Sequence, residues 1–245
     1  MNPIVDLQDR PAGPGRWIAL ETSGLYGSVA AASVDEQGCQ IVASEPLSRD
    51  ARSAQTLAPT ISAVLEGLGW EPKEVAAVAV AVGPGSFTGL RVGVVTAKTF
   101  AYATGAAVVG VDTLDVLAKA DTAAKGVNGL WAVLDAQRRE LFAARFVPNG
   151  VQWAREESTQ RLSRAALCDY LREGDRVVGP VAESLADSVE GGTPVGVEFV
   201  TAEPQAEAVL RAAHRRWRDR QADSVLGIAP QYFRLSSAEE KLASD

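Results

Sequence analysis

Four glycines and a proline stand where a strand would hand over to a helix, in Gly83-Pro84-Gly85-Ser86-Phe87-Thr88-Gly89-Leu90-Arg91-Val92-Gly93. A glycine-rich turn opening a helix gathers unpaired backbone N–H groups, which suits an anion or the close approach of another stretch of backbone. Spacing tests two phosphate loops. A Walker-type loop needs a second glycine five positions after the first, then Lys and Ser or Thr. The fifth position after Gly83 is Thr88, the fifth after Gly85 is Leu90, and no lysine follows. The dinucleotide fingerprint needs glycine at Thr88 and finds it one residue late, at Gly89. Both loops are excluded. What remains is a tight turn that uses the conformations open to glycine, or a ligand site of another kind.

Metal and nucleophilic chemistry are restricted too. The one histidine of the chain, His214, lies in the run Arg-Ala-Ala-His-Arg-Arg-Trp-Arg-Asp-Arg at 211–220. No histidine pair is available for a metal, and a Ser-His-Asp or Cys-His centre has no base elsewhere. Cys39 and Cys168 make no disulfide framework and fit a reducing compartment. The arginine-rich run is the one basic patch in a chain of net charge −7. Val209, Leu210, Ala213 and Trp217 recur there at helical spacing, so the arginines read as the solvated face of an amphipathic helix. Tight grip of a nucleic-acid backbone by this chain alone is not expected.

These residues need a scaffold, and the periodicity supplies one. Strands are expected at 16–22, 28–34 and 40–47, then a helix at 53–68 with Leu57, Ile61, Val64, Leu65 and Leu68 on one face. The wholly apolar run 75–82 reads as a buried strand, followed by a helix at 88–104, a strand at 107–111 and a helix at 114–122. The pattern then begins again. The run 130–135 ends in Asp135 as 17–21 ends in Glu21, with further strands at 141–147 and 151–154 and helices near 163–172 and 181–189. Arg138 and Glu140, two apart on the expected strand, would share a face. This is an α/β chain of two successive units with mixed sheets flanked by helices: lobes at 16–122 and 129–235, and linkers at 123–128 and 191–196. Loose tails are expected at 1–15 and 236–245.

With 245 residues, 47% of them hydrophobic, the chain can bury a sizeable core. No apolar run is long enough to span a bilayer, and 1–15 lacks the basic and apolar regions of a signal peptide, so a cytoplasmic location is expected. In the helix after the glycine turn, Gly89, Gly93, Ala97, Ala101 and Gly105 recur every four residues. Each interior glycine costs a helix roughly 1 kcal/mol relative to alanine, which a tight contact would offset. The partner across this stripe is either the chain's own sheet and helices or a second subunit.

The run 83–93, continued by Ala97-Lys98 and Gly110-Val111-Asp112-Thr113-Leu114, resembles the signature of the TsaB (YeaZ) family. Ile18-Ala19-Leu20-Glu21-Thr22-Ser23 looks like the family's opening strand. Asp135-Ala136-Gln137-Arg138-Arg139-Glu140-Leu141-Phe142 is similar to its mid-chain motif, and Pro230-Gln231-Tyr232-Phe233-Arg234 to its C-terminal one. The resemblance implies a duplicated ribonuclease-H-like fold of the actin/Hsp70/sugar-kinase superfamily. It also implies a non-catalytic partner subunit that pairs with the catalytic paralogue TsaD in threonylcarbamoyl transfer to the adenosine beside the anticodon of tRNA. The ATPase TsaE would join, a self-dimer would form in isolation, and tRNA would be met only indirectly, with no membrane involved.

The partner surface is then expected on two helices, at Leu57, Ile61, Phe87, Gly89, Leu90, Gly93, Val94, Ala97 and Ala101. By the same resemblance Glu21, Thr22, Ser23 and the mirrored Asp135 occupy the places where the superfamily holds nucleotide phosphates. No intrinsic cofactor is expected, and ATP only through the complex. Two departures weaken any remnant of chemistry. Glu21 stands where the family has Asp, and Arg52-Ser53-Ala54-Gln55 where it often keeps His-Ser-Glu. The competing reading is an independent small-molecule kinase or ATPase of the same fold; a peptidase lacks a nucleophile–base pair.

Overall fold

The computed structural model describes residues 12–121, 126–150, 152–186, 195–219 and 223–233. The first half runs β1 (Gly15–Glu21), β2 (Ser28–Val34), β3 (Cys39–Pro46), α1 (Ser53–Leu68), a 3-10 turn (Pro72–Glu74), β4 (Val75–Gly83), α2 (Phe87–Thr104), β5 (Ala107–Asp112) and α3 (Thr113–Ala120). The second half runs β6 (Gly129–Gln137), β7 (Glu140–Asn149), β8 (Gln152–Arg155), β9 (Gln160–Ser163), α4 (Arg164–Tyr170), β10 (Asp175–Val178), α5 (Ala182–Ala186), β11 (Glu198–Val200) and α6 (Ala206–Arg218).

The two halves repeat one topology. The first sheet is ordered β3-β2-β1-β4-β5, with β1, β2 and β3 antiparallel and β4 and β5 parallel to β1. Read from its other edge, the second sheet is β8-β7-β6-β10-β11, again three antiparallel strands and two parallel ones, with β9 added beside β7. This duplicated ribonuclease-H-like order is the expected α/β fold. The second copy is less degenerate than its sequence suggests, because β9, β10 and β11 complete its sheet at four, four and three residues. Such short strands carry too few alternating positions to declare a period.

The sequence Val-Ala-Ala-Val-Ala-Val-Ala-Val of β4 sets the first core. Successive side chains point to opposite faces, so Val78, Val80 and Val82 face the side covered by α1 and α2. Ala77, Ala79 and Ala81 join Ala19, Ala30, Ala32 and Ala107 on the other side. That alanine floor receives α6, which lays Ala208, Val209, Leu210, Ala212 and Ala213 across β1, β2 and β5. The first N–H of α6 is capped from the first sheet, Ser28 Oγ accepting from Ala206 N at 2.9 Å. Strand β6 divides likewise: Leu130, Ala132 and Leu134 face α3, and Trp131 and Val133 face the other way.

Helix α3, the last of the first half, therefore lies on the second sheet, and α6, the last of the second half, lies on the first; the two also pack together. Residues 223–233 follow α6 back to the first half. Gly110 N donates to Asp223 Oδ2 at 2.8 Å, and Gln231 N to Val82 O at 2.7 Å. A lobe drawn at 129–235 is thus corrected: 206–219 and 223–233 pack mainly on the first sheet. Between the halves, Arg155 of β8 pairs with Asp112 at 2.8 Å and Asp115 at 2.9 Å.

Of the expected loose N-terminal tail, 1–11 lie outside the described residues. The rest is held, with Ala12 buried and Trp17 Nε1 donating to Gly13 O at 2.8 Å. Linker residues 123–125 and 191–194 and the tail 236–245 also lie outside them. Arg138 is not on a strand: it forms the β6–β7 turn with Arg139, at φ of 52° and 65° after Gln137 at 63°, and Glu140 faces Arg161 at 3.5 Å.

Removing a packed side chain of α6 leaves a cavity on the alanine floor. Leu210→Ala is expected to lower the unfolding free energy by about 3 kcal/mol, against less than about 0.5 kcal/mol for the solvent-side Arg211→Ala, in urea unfolding of the whole chain. Equal effects would contradict this placement of α6.

Candidate functional site

The glycine turn meets the end of β1. Gly83 and Gly85 have φ of 127° and 154°, a region closed to most side chains. A Cβ on Gly85 would come within 2.6 Å of Ser23 O, one on Gly89 would fall on the carbonyl oxygen of Thr22, and one on Gly93 would strike Thr22 Oγ1. Hydrogen bonds seal the contact: Ser86 N donates to Ser23 O at 2.7 Å, and Thr22 Oγ1 to Gly89 O at 2.8 Å. Ser86 caps α2, its Oγ accepting from Gly89 N at 3.2 Å. Two donors of the turn, Ser86 N and Gly89 N, are thus taken up by the chain itself. Between the two readings left open by the turn, close approach of backbone is the one realised.

The small-residue stripe resolves in the same way. Gly89, Leu90, Gly93, Val94, Ala97 and Ala101 are all buried on the inner side of α2, as are Leu57 and Ile61 on α1. These eight residues are corrected from a partner surface to the chain's own core, because the close partner of α2 is the end of β1 together with β4. Phe87 is half-buried under an aromatic and cationic stack. Arg91 lies 3.9 Å over its ring, Tyr232 packs at 4.6 Å between ring centroids, and Arg91 Nε donates to Tyr232 Oη at 2.9 Å. The large apolar side chains that α2 turns outward are Val95 and Tyr102, 59% and 63% exposed. Helical spacing contained this signal: 95 and 102 are seven apart on the face opposite the glycines.

Glu21, Thr22 and Ser23 stand together and are all buried, but as one strand end locked into the turn. Glu21 is fully enclosed; it accepts from Ser23 N at 2.7 Å and from Ser23 Oγ, while its Oε2 has no hydrogen-bond partner. Burial pushes its carboxyl up from 4.5 to about 7, against the lowering effect of the Ser23 bonds and with a further push from the Glu203 carboxylate. Burial raises Glu203 as well. Asp135 is not its mirror image. It lies within β6 rather than at the strand end, is exposed, and accepts from Gln137 N at 2.8 Å in a local turn. Among the described residues no three His, Cys, Asp or Glu side chains gather as a metal would require.

A family model described as TsaD: tRNA N6-adenosine threonylcarbamoyltransferase matches residues 45–200, from the end of β3 through β11. The chain belongs to this family. Proteins named tRNA threonylcarbamoyladenosine biosynthesis protein TsaB put it on the TsaB (YeaZ) side. That of Escherichia coli is 27% identical over 193 residues, 77% of this chain and 83% of that one; that of Bacillus subtilis is 25% identical over 190 residues, 75% and 80%. An uncharacterised protein of Mycobacterium tuberculosis is 32% identical over 158 residues, 64% of this chain, which spans 60% of that relative's length. The solved structure of YeaZ from Pseudomonas aeruginosa shares the fold, with a TM-score of 0.73 and 22% identity over 89% of this chain and 100% of that one.

Two consequences follow for this TsaB-type chain. Crowding at the turn makes Gly93→Ala destabilising by about 1–3 kcal/mol in the isolated chain, measured by denaturant unfolding without any partner. Glu21 binds its proton more tightly when folded, so it favours the fold most below about 4.5 and loses that contribution as pH rises towards 7. Glu21→Gln is therefore expected to exceed the natural chain in stability at pH 8 by on the order of 3 kcal/mol, an advantage that disappears towards pH 4.5. A pH-independent difference between the two would rule this out.

Proposed function

We propose that this chain is a non-catalytic partner subunit in tRNA threonylcarbamoyladenosine biosynthesis, pairing with a TsaD-type paralogue through the outward face of α2. The observation that carries this reading is the filled turn. Thr22 and Ser23 occupy the place at the strand end where an enzyme of this fold would need room for phosphates, and Glu21 is sealed behind them. The same packing weighs against the alternative, an independent kinase or ATPase. The names of the TsaB relatives supply the pathway, and the match to a TsaD model supplies the kind of partner.

On the surface side, Val95 and Tyr102 project from α2, and Leu226, 68% exposed, lies in the segment laid along it. Lys98 Nζ ties that segment down by donating to Leu226 O at 2.9 Å and Ile228 O at 3.2 Å. A rigid helix carrying apolar side chains free of its own core is suited to burial against another protein. The TsaE-type ATPase and a self-dimer on the same face belong to this reading as further partners, and tRNA is met through the complex. No helix among the described residues is long and apolar enough to cross a membrane; a cytoplasmic location goes with the proposed pathway.

The test is light scattering of the purified chain, alone and mixed with the TsaD-type paralogue of the same organism. The natural chain is expected to form a mixed complex. The pair Val95→Asp and Tyr102→Asp should reduce that association at least tenfold while keeping the thermal midpoint of the natural chain. A chain indifferent to the paralogue, or variants that pair as well as the natural chain, would overturn the proposal.

A further inference from the structure

The basic run that begins at Arg211 has a second property beyond amphipathicity. Arg211, Arg215 and Arg218 follow one another along a single face of α6, over roughly 10 Å of helix at 1.5 Å per residue. They face Lys119 of α3 across a cleft of about 670 Å³, with Gln152 of β8 and His214 on its walls. The cleft exists because α3 and α6 are packed side by side between the two sheets.

Its charge is poorly compensated. Arg218 is exposed and has no partner among the described residues. Arg211 reaches Glu207 only at 3.7 Å and Arg215 reaches Asp219 only at 3.8 Å, both beyond hydrogen-bonding range and both on partly exposed side chains, so neither carboxylate neutralises its guanidinium closely. Arg215 is positioned instead by a neutral acceptor, its Nη1 donating to Trp153 O at 3.0 Å. Of the two acids on the wall, Asp219 is the distant partner of Arg215, and Asp121 is engaged with Arg176, whose Nη1 lies 3.0 Å from both of its carboxylate oxygens. Lys119 donates to Gln152 Oε1 at 3.1 Å, a neutral acceptor. Burial lowers its pKa, and the charge of Arg215 lowers it further, more than the carboxylates of Asp115 and Asp219 raise it. Like charges crowded across a concave surface are relieved by an anion between them.

We infer that the α3–α6 cleft binds a phosphate-bearing anion through Arg211, Arg215, Arg218 and Lys119. Guanidinium groups suit phosphate because their planar donors match two oxygens at once, and Lys119 adds a point charge from the facing wall. Trp153, the aromatic residue of the lining, is buried with its Nε1 donating to Asp121 O at 3.2 Å, so it offers no platform for a base. Recognition is therefore of phosphates and not of nucleotide identity. The source is either a free polyphosphate group or the backbone of an RNA strand. The cleft adjoins the alanine side of the first sheet, opposite α2, so occupancy leaves the proposed pairing face free.

The experiment uses the whole chain and two probes, tripolyphosphate and a twenty-nucleotide oligouridylate, in binding titrations from 50 to 200 mM salt. At least one probe should bind, and Arg211→Glu with Arg218→Glu should weaken that binding at least tenfold. Lys73→Glu, the same kind of charge change on the 3-10 turn before β4, should leave it unchanged. A bound RNA strand held through three phosphates would show a log K against log salt slope of about −2. Tripolyphosphate binding without RNA binding identifies a free polyphosphate group as the source; the reverse identifies the RNA backbone. Thermal midpoints of all variants are measured alongside, and the reversal variants should stay within a few degrees of the natural chain because both side chains face solvent. Absence of binding by both probes, or binding that the double variant does not weaken, would overturn the inference without touching the pairing reading, which is read by complex formation with the paralogue.

Discussion

The backbone of Thr22 and Ser23 and the helix axis at Gly89 and Gly93 approach so closely that no side chain fits between them. The arrangement of α2 on the first sheet depends on that contact. It fixes the rotation of α2 about its own axis, so the glycine and alanine stripe faces inward and Val95 and Tyr102 face out. It takes up the Ser86 N–H just before α2, and it encloses Glu21 with one oxygen unpaired. A strand end that elsewhere would be an opening is here a joint. Closing it packs the strand end against the start of a helix and settles which side of that helix meets solvent.

A second constraint is side-chain size on the sheets. The alanine face of β4 and its neighbours admits α6 where larger residues would hold it off, while the valine face carries α1 and α2. Because α3 and α6 cover each other's sheets, the two halves share a middle layer, and the ion pairs of Arg155 with Asp112 and Asp115 close one edge of it. The basic cleft is a by-product of that layer, opening where the solvent face of α6 meets the end of α3.

Much of this was legible in the residues. Long periodic segments such as 53–68 and 88–104 were found within a residue or so of α1 and α2, and the recurrence of a carboxylate-bearing strand announced the duplication. The orientation of α2 was not legible, because a four-residue stripe of small residues is equally suited to an internal sheet and to a second subunit. Nor was the end of the second half. Asp-Arg-Val-Val and Glu-Phe-Val are too short and too charged to read as strands, yet parallel pairing of the first with β6 and of the second with the first makes them so. Glu21 was singled out for its place at a strand end, but its full burial against Ser23 depends on a turn more than sixty residues away. The clasp of Arg91 with Tyr232 joins positions still farther apart, and nothing local encodes it.

The exchange of α3 and α6 also bears on how such a chain could have come to be. A simple tandem fusion of two self-sufficient units would leave each sheet covered by its own last helix, and either unit could later be lost. Here each sheet would be stripped on one side if the other half were removed, exposing the alanine floor in one case and Leu130, Ala132 and Leu134 in the other. The halves are therefore bound to be inherited together: the second can shorten its strands and drift in sequence, but discarding it would leave the alanine floor of the first open to water.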